Sequence, residues 1–146
     1  MSGLRTIYPG ARFVHVYRDG RDVAHSVVPL PWGPNDAESA LAWWEETFVD
    51  ALREMRGHEE AVLLVSMEDL IINRRSENVE RLFDFLGLPV DTGVQSYFEQ
   101  HMSPERAHVG RWHQDLSSSE RREMNLRYDA AVERIVRDSP SIELAL

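Results

Sequence analysis

The apolar residues of this chain fall into two short runs and several longer stretches with helical spacing. Residues 13–17 (Phe-Val-His-Val-Tyr) contain β-branched and aromatic side chains, and residues 61–65 (Ala-Val-Leu-Leu-Val) form an unbroken apolar run. Short apolar runs of this kind predict buried strands. Because the second run has no polar alternation, it is typical of a strand that is covered on both faces of a parallel sheet.

The longer stretches predict amphipathic helices with identifiable ends. The predicted helices cover residues 22–28, 37–56, 77–86, 92–101 and a final segment that ends near residue 137. Asp36, Ser76 and Asp91 are predicted N-caps, since their side chains accept hydrogen bonds from the first helical turn. Ser117, with Glu120 three residues later, has the spacing of a capping box that opens the last helix.

The segments between these elements are predicted to be irregular. Residues 1–10 are expected to be a short lead, residues 28–34 hold three prolines and a glycine, and residues 66–70 follow the second strand as a loop. Residues 102–116 are also expected to lack regular structure. Gly87 is predicted to end its helix, because glycine adopts the left-handed conformation that terminates helices.

The order of the elements predicts an α/β fold with a parallel sheet flanked by helices. Two parallel strands need a crossover, which is helical here and right-handed by default. In the helix at residues 92–101, Val94, Tyr97 and Phe98 are expected to face the core. Two strands make a poor sheet, so we expect either further strands that the pattern does not reveal or a chain that is part of a larger α/β domain.

The overall composition narrows the classes of partner. The chain has 146 residues, a net charge of −9 and no cysteine. A broadly acidic chain is a poor ligand for nucleic acid or an anionic membrane, so neither is expected as a partner. No apolar run reaches the length of a transmembrane helix, and the lack of cysteine fits a reducing cytoplasm. An anionic ligand would therefore need a local basic pocket.

The best candidate for such a pocket is the charged turn after the first predicted strand. Arg18 and Arg21 supply fixed positive charge where a helix begins, and the first N–H groups of a helix favour anions. Ser26 lies one turn into that helix and offers a hydroxyl. Two alternatives stay open: Asp22 holds Arg18 at the helix start, and Arg21 simply pairs with Asp19 or Asp22.

Four segments, in order, resemble the sulfotransferases that use 3′-phosphoadenosine 5′-phosphosulfate (PAPS). Residues 9–26 resemble the 3′-phosphate motif of that family, an aromatic-rich strand followed by Arg-Asp-Gly-Arg-Asp, Val-Ala and a serine. Residues 68–70 (Glu-Asp-Leu), 85–89 (Phe-Leu-Gly-Leu-Pro) and 109–112 (Val-Gly-Arg-Trp) are similar to later family motifs. The resemblance implies a P-loop NTPase-like sulfotransferase topology.

The resemblance also implies a set of cofactor-binding residues. Arg18 and Ser26 match the two 3′-phosphate ligands of the family, and Arg21, Gly110 and Arg111 are the further candidates. The implied activity is transfer of a sulfuryl group from PAPS to the hydroxyl or amine of a small-molecule acceptor, without a metal. His15 is interpreted as a strand residue rather than a base, so the catalytic residues remain unknown.

The chain also departs from the family pattern. Nothing before Phe13 resembles the glycine-rich loop that holds the 5′-phosphosulfate, and Met67 stands where the family usually has a tyrosine. We therefore expect residues 1–146 to be a single, partial sulfotransferase domain with its N-terminal part missing, completed by an upstream segment or a second chain. The alternatives are a non-catalytic remnant that binds 3′-phosphoadenosine weakly or not at all, and an unrelated α/β nucleotide-binding module.

Overall fold

The computed structural model describes residues 2–139, which divide into two compact units. Residues 2–17 and 53–107 form the first unit, and residues 18–52 and 108–139 form the second. The elements are α1 (Ser2–Ile7), β1 (Phe13–Tyr17), α2 (Gly20–Val27), α3 (Ala37–Met55), β2 (Val62–Ser66), α4 (Arg75–Leu86), α5 (Thr92–His101), α6 (Arg111–Asp115) and α7 (Ser118–Asp138). No helix within the described residues is both long and apolar enough to cross a lipid bilayer.

The first unit contains a parallel sheet of two strands, β1 and β2. The register runs from Phe13 opposite Val62 to Tyr17 opposite Ser66. Both predicted strands are thus present, with β2 shifted by one residue, and the chain is an α/β protein. The predicted burial of β1 is wrong on one face, because Val14 and Val16 are 40% and 51% exposed. The core of this unit consists of apolar side chains from β2, α4 and the segment between them: Leu63, Val65, Leu70, Ile71, Val79 and Phe83.

The segment after β2 is helical, so the loop predicted there is wrong. Asp69–Asn73 form one turn of π-helix. The carboxylate of Asp69 accepts hydrogen bonds from the side chains of Asn73 (3.0 Å) and Arg74 (Nε, 3.0 Å), which hold the turn closed. Helix α4 then begins one residue before Ser76, so Ser76 is not its N-cap. Helices α1 and α6 also lie in segments where no helix is predicted.

Helix α5 has the predicted bounds but not the predicted buried face. Asp91 caps it as expected, accepting a hydrogen bond from the backbone N–H of Val94 at 2.9 Å. However, Val94 and Tyr97 are 47% and 63% exposed. Of the three residues predicted to face the core, only Phe98 packs against the first unit's apolar cluster.

The second unit is built from α2, α6, α7 and most of α3. Trp44 of α3 stacks on Phe48 and packs at 5.5 Å between ring centroids against Tyr128 of α7. Gly20 begins α2 directly against the Trp44 indole, where a Cβ atom would lie 2.5 Å from the ring. Only glycine fits this position, because real Cβ contacts are not that short. The predicted capping box opens α7 as expected.

Candidate functional site

A small cleft in the second unit brings together three of the predicted cofactor-binding residues. Its volume is about 200 Å³. Residues from α2, its flanking segments and the 108–111 segment line it: Arg18, Asp22, His25, Ser26, Pro29, His108 and Arg111. Arg18, Ser26 and Arg111 therefore share one cleft although Arg111 is far from the other two in sequence. Arg21 and Gly110 are held by other contacts.

Arg18 is fixed from two sides. Its Nη2 atom lies 3.2 Å from Oδ2 of Asp22 and donates a hydrogen bond to the carbonyl oxygen of His108 at 2.5 Å. The predicted pairing with Asp22 is thus present. Its Nε atom is buried and has no hydrogen-bond partner among the described residues. Because an unsatisfied buried donor costs about 1–3 kcal/mol, this Nε–H is an unmet hydrogen-bond donor in a residue that lines the cleft.

Ser26 lies on the exposed side of α2. Its hydroxyl donates a hydrogen bond to the carbonyl oxygen of Val23 at 2.8 Å. A hydroxyl has one donor and two acceptor positions and rotates about its Cβ–Oγ bond. To hold a fully ionised phosphate oxygen, which only accepts, the Ser26 proton has to turn away from Val23.

Asp22 is the best-connected residue of the cleft. It is 3% exposed, and its carboxylate accepts hydrogen bonds from the backbone N–H groups of Gly110 (2.6 Å) and Trp112 (3.2 Å). The sequence indicates only that an aspartate in a first helical turn is a capping or supporting residue. Partners that follow it by about ninety residues have no local signal, so sequence reasoning missed them.

The Arg21 side chain does not line the cleft. Its guanidinium lies over the rings of Trp112 and Tyr128, with centroid distances of 4.6 and 4.2 Å. It also donates hydrogen bonds to Asp19 and, at 2.6 Å, to Asn125. Burial lowers the pKa of Arg21, but the hydrogen bond and charge of Asp19 outweigh burial, and the pKa is raised. The predicted pairing of Arg21 with Asp19 is thus present.

Arg111 and His25 share one carboxylate at the end of α6. Arg111 Nε lies 3.3 Å from Oδ2 of Asp115, and His25 Nε2 lies 3.4 Å from the same oxygen. Asp115, which is not among the residues that line the cleft, is therefore the common partner of these two cleft side chains. His25 was not singled out from the sequence, because a single histidine in a short helix carries no distinctive pattern.

The segment that closes the cleft has an unusual backbone. His108 has a φ angle of 53° and Gly110 of 74°, both in the left-handed region. Glycine adopts this conformation at little cost, whereas a residue with a Cβ atom is strained there. The resemblance assigns Gly110 to the cofactor site, which stays a prediction, and in the structure its N–H donates to Asp22.

His15 lies in β1, and burial lowers its pKa, so the imidazole is mostly neutral at pH 7. Within residues 2–139, no group of three or more histidine, aspartate or glutamate side chains is arranged to hold a metal ion.

A match to a known protein family includes the cleft residues that lie in the first part of the chain. A family model described as the sulfotransferase family matches residues 2–92, which is more than half of the 146-residue chain. The match contains Arg18, Arg21 and Ser26, whereas Gly110 and Arg111 lie beyond it. No curated protein and no solved structure matches the chain. The family match confirms the resemblance within residues 2–92: the chain belongs to the sulfotransferase family.

Proposed function

We propose that this chain binds the 3′-phosphate end of PAPS in the cleft of the second unit. The protein would act as a sulfotransferase that moves a sulfuryl group to the hydroxyl or amine of a small-molecule acceptor. The observation that carries the proposal is the meeting of Arg18, Ser26 and Arg111 in one cleft. We further propose a P-loop-like sulfotransferase topology, with an upstream segment or a second chain completing the site.

The charge of the cleft supports an anionic ligand. Two arginines line it against one aspartate, and Asp115 next to the lining pairs with Arg111, in a chain whose net charge is −9 with histidine counted as neutral. Arginine is suited to phosphate because its planar guanidinium offers several fixed donors. The buried, unpartnered Nε–H of Arg18 is such a donor, so the residues present fit a phosphate group.

The size of the cleft favours one end of the cofactor over the whole of it. Pockets for drug-sized ligands have about 300–1,000 Å³, and this cleft has about 200 Å³. Arg18 and Arg111 would bind and orient the phosphate, and Ser26 would donate one hydrogen bond. PAPS would supply the sulfuryl group when bound. Positioning of this kind accelerates a transfer reaction by holding the donor in register.

The first experiment compares two nucleotides that differ at the 3′ position. We expect 3′-phosphoadenosine 5′-phosphate to raise the melting temperature of the chain more than adenosine 5′-phosphate does, because a ligand that binds the folded state stabilises it by mass action. Differential scanning fluorimetry and isothermal titration calorimetry measure the two shifts and affinities. Equal effects of the two nucleotides would remove the 3′-phosphate assignment.

Substitutions locate the binding in the cleft. Arg18→Gln should weaken binding of 3′-phosphoadenosine 5′-phosphate by about tenfold or more, since a hydrogen bond to a charged group contributes about 1.5–3 kcal/mol. Ser26→Ala should weaken it by a smaller factor without loss of fold, because Ser26 is exposed. Arg134→Gln is the matched control: Arg134 pairs with Glu45 in the same unit and does not line the cleft.

A further inference from the structure

Asp22 is a buried acid that pairs with one cleft residue, Arg18, and with two backbone N–H groups of the segment beside the cleft. Its Oδ2 atom accepts a hydrogen bond from the N–H of Gly110 at 2.6 Å, and its Oδ1 atom accepts one from the N–H of Trp112 at 3.2 Å. Its Oδ2 atom also lies 3.2 Å from Nη2 of Arg18. A buried carboxylate is tolerated only when it is paired and hydrogen bonded, and these three donors meet that condition.

The same contacts hold the 108–112 segment against Arg18. Arg18 Nη2 donates to the carbonyl oxygen of His108, so Arg18 and Asp22 together bind this segment at residues 108, 110 and 112. The left-handed φ angle of His108 costs free energy and persists where the surroundings fix it. The hydrogen bonds to Arg18 and Asp22 are the contacts that fix it here.

We propose that Asp22 is a positioning residue for the 3′-phosphate site, an inference that rests on the proposed function. It sets the direction of the Arg18 guanidinium and keeps His108 and Arg111 on the wall of the cleft. Asp22 has two opposing effects on an anion. Its negative charge repels the ligand, while its hydrogen bonds hold in place the groups that bind the ligand. With 3% exposure, it is too buried to yield its place to phosphate, and its positioning effect is the larger.

Hydrogen exchange tests the contact without any ligand. In the wild-type chain, the amides of Gly110 and Trp112 should be protected. In Asp22→Asn they should exchange about tenfold faster or more, because an amide in place of the carboxylate loses charge and one acceptor. Amides inside α7, such as that of the buried Ala131, report the global stability of the unit. Equal acceleration of all these amides, or unprotected Gly110 in the wild type, would overturn the positioning role.

Nucleotide binding tests the consequence. Asp22→Asn should lower the affinity for 3′-phosphoadenosine 5′-phosphate by about tenfold. The weaker affinity for adenosine 5′-phosphate should stay unchanged, so the preference for the 3′-phosphorylated nucleotide falls. Glu45→Gln is the matched control, since it also replaces an ion-paired acid by its amide in the same unit. A merely structural role would lower the melting temperature without changing this preference.

The remaining outcomes are also decisive. Tighter binding of 3′-phosphoadenosine 5′-phosphate by Asp22→Asn would overturn the proposal, because the carboxylate would then act only as a competing anion. If the wild type itself shows no preference for the 3′-phosphate, the proposed function fails, and hydrogen exchange still decides whether Asp22 holds the 108–112 segment. Should Asp22→Asn fail to fold, Asp22→Glu keeps the charge, displaces the oxygens and is measured in the same way.

Discussion

At the scale of single residues, Arg21 shows how a cation is used to join elements. Its guanidinium lies between the rings of Trp112 in α6 and Tyr128 in α7, and its edge donates to Asp19 and Asn125. A cation over an aromatic face contributes about 0.5–2 kcal/mol, depending on how well water is excluded. Arg21 therefore connects the first turn of α2 to two other helices of the second unit.

We expect Arg21→Lys to destabilise the chain although it keeps the charge. A lysine ammonium is a point charge and cannot stack on two rings while forming hydrogen bonds along a planar edge. The expected loss is about 1–3 kcal/mol in the free energy of unfolding, measured by urea denaturation. Arg137→Lys is the control, because the Arg137 side chain is 70% exposed and pairs with the neighbouring Asp138.

The same variant tests the assignment of Arg21 to the cofactor site. That assignment stays a prediction. If Arg21 binds the nucleotide directly, Arg21→Lys should also lower the affinity for 3′-phosphoadenosine 5′-phosphate under conditions where the chain is fully folded. An unchanged affinity together with the lower stability would restrict Arg21 to joining the helices.

At the scale of elements, the capping box at the start of α7 makes a contribution to stability that depends on pH. The Ser117 hydroxyl accepts a hydrogen bond from the N–H of Glu120, and the Glu120 carboxylate accepts one from the N–H of Ser117 at 2.9 Å. Hydrogen bonds from the Ser117 side chain and backbone lower the pKa of Glu120 below its ordinary 4.5. A carboxyl with a lowered pKa in the folded state stabilises the fold above pH 4.5, and this contribution is lost as the pH falls through the folded-state pKa.

Ser117→Ala should therefore have two effects. The free energy of unfolding at neutral pH should fall by about 1 kcal/mol, the usual loss when a serine N-cap is removed. The remaining stability should decline less steeply than that of the wild type as the pH falls below 4.5. Urea denaturation at several pH values measures both. Ser118→Ala, which leaves the cap intact, should follow the wild-type curve, and an identical pH dependence of Ser117→Ala would contradict the assignment.

The elements that were predicted correctly have local signals. Asp91 and Ser117 each lie where their side chains meet the next turn, and Gly87 has the left-handed φ of 68° that ends α4. Exposure of Tyr97 was not predictable in this way, because helical spacing shows which residues share a face and not whether another element covers it. The contact of Asp22 with Gly110 was missed for the same reason, since it depends on tertiary packing.

At the scale of the whole molecule, the residues assigned to the cofactor site are proposed to bind only one end of the cofactor. Arg18, Ser26 and Arg111 are proposed to bind the 3′-phosphate, and no residue of the cleft is assigned to the sulfuryl group or to the acceptor proton. We therefore expect the 146-residue chain, assayed alone with radiolabelled PAPS and phenol, alcohol and amine acceptors, to transfer little sulfate while it binds 3′-phosphoadenosine 5′-phosphate. A reaction without protein gives the background rate.

Rapid turnover in that assay would contradict this expectation. It would mean that residues within the chain complete the site in a way that the motifs do not indicate. Binding without turnover is also what the non-catalytic alternative predicts, so the assay does not distinguish a partial site from a remnant. Adding the proposed completing part, an in-frame upstream segment or a second chain, distinguishes them, because only a partial site would then gain activity.

The hydrogen bond between Asp22 and Gly110 joins positions 88 residues apart. Bringing such distant positions together costs loop-closure entropy. The local hydrogen bonds of α2 form without that cost. The motif in residues 18–26 is thus present in the unfolded chain, but the cleft is absent until both distant segments have met. Recovery of nucleotide binding during refolding should accordingly trail the return of helical circular dichroism, and the delay would time the closure of that long loop.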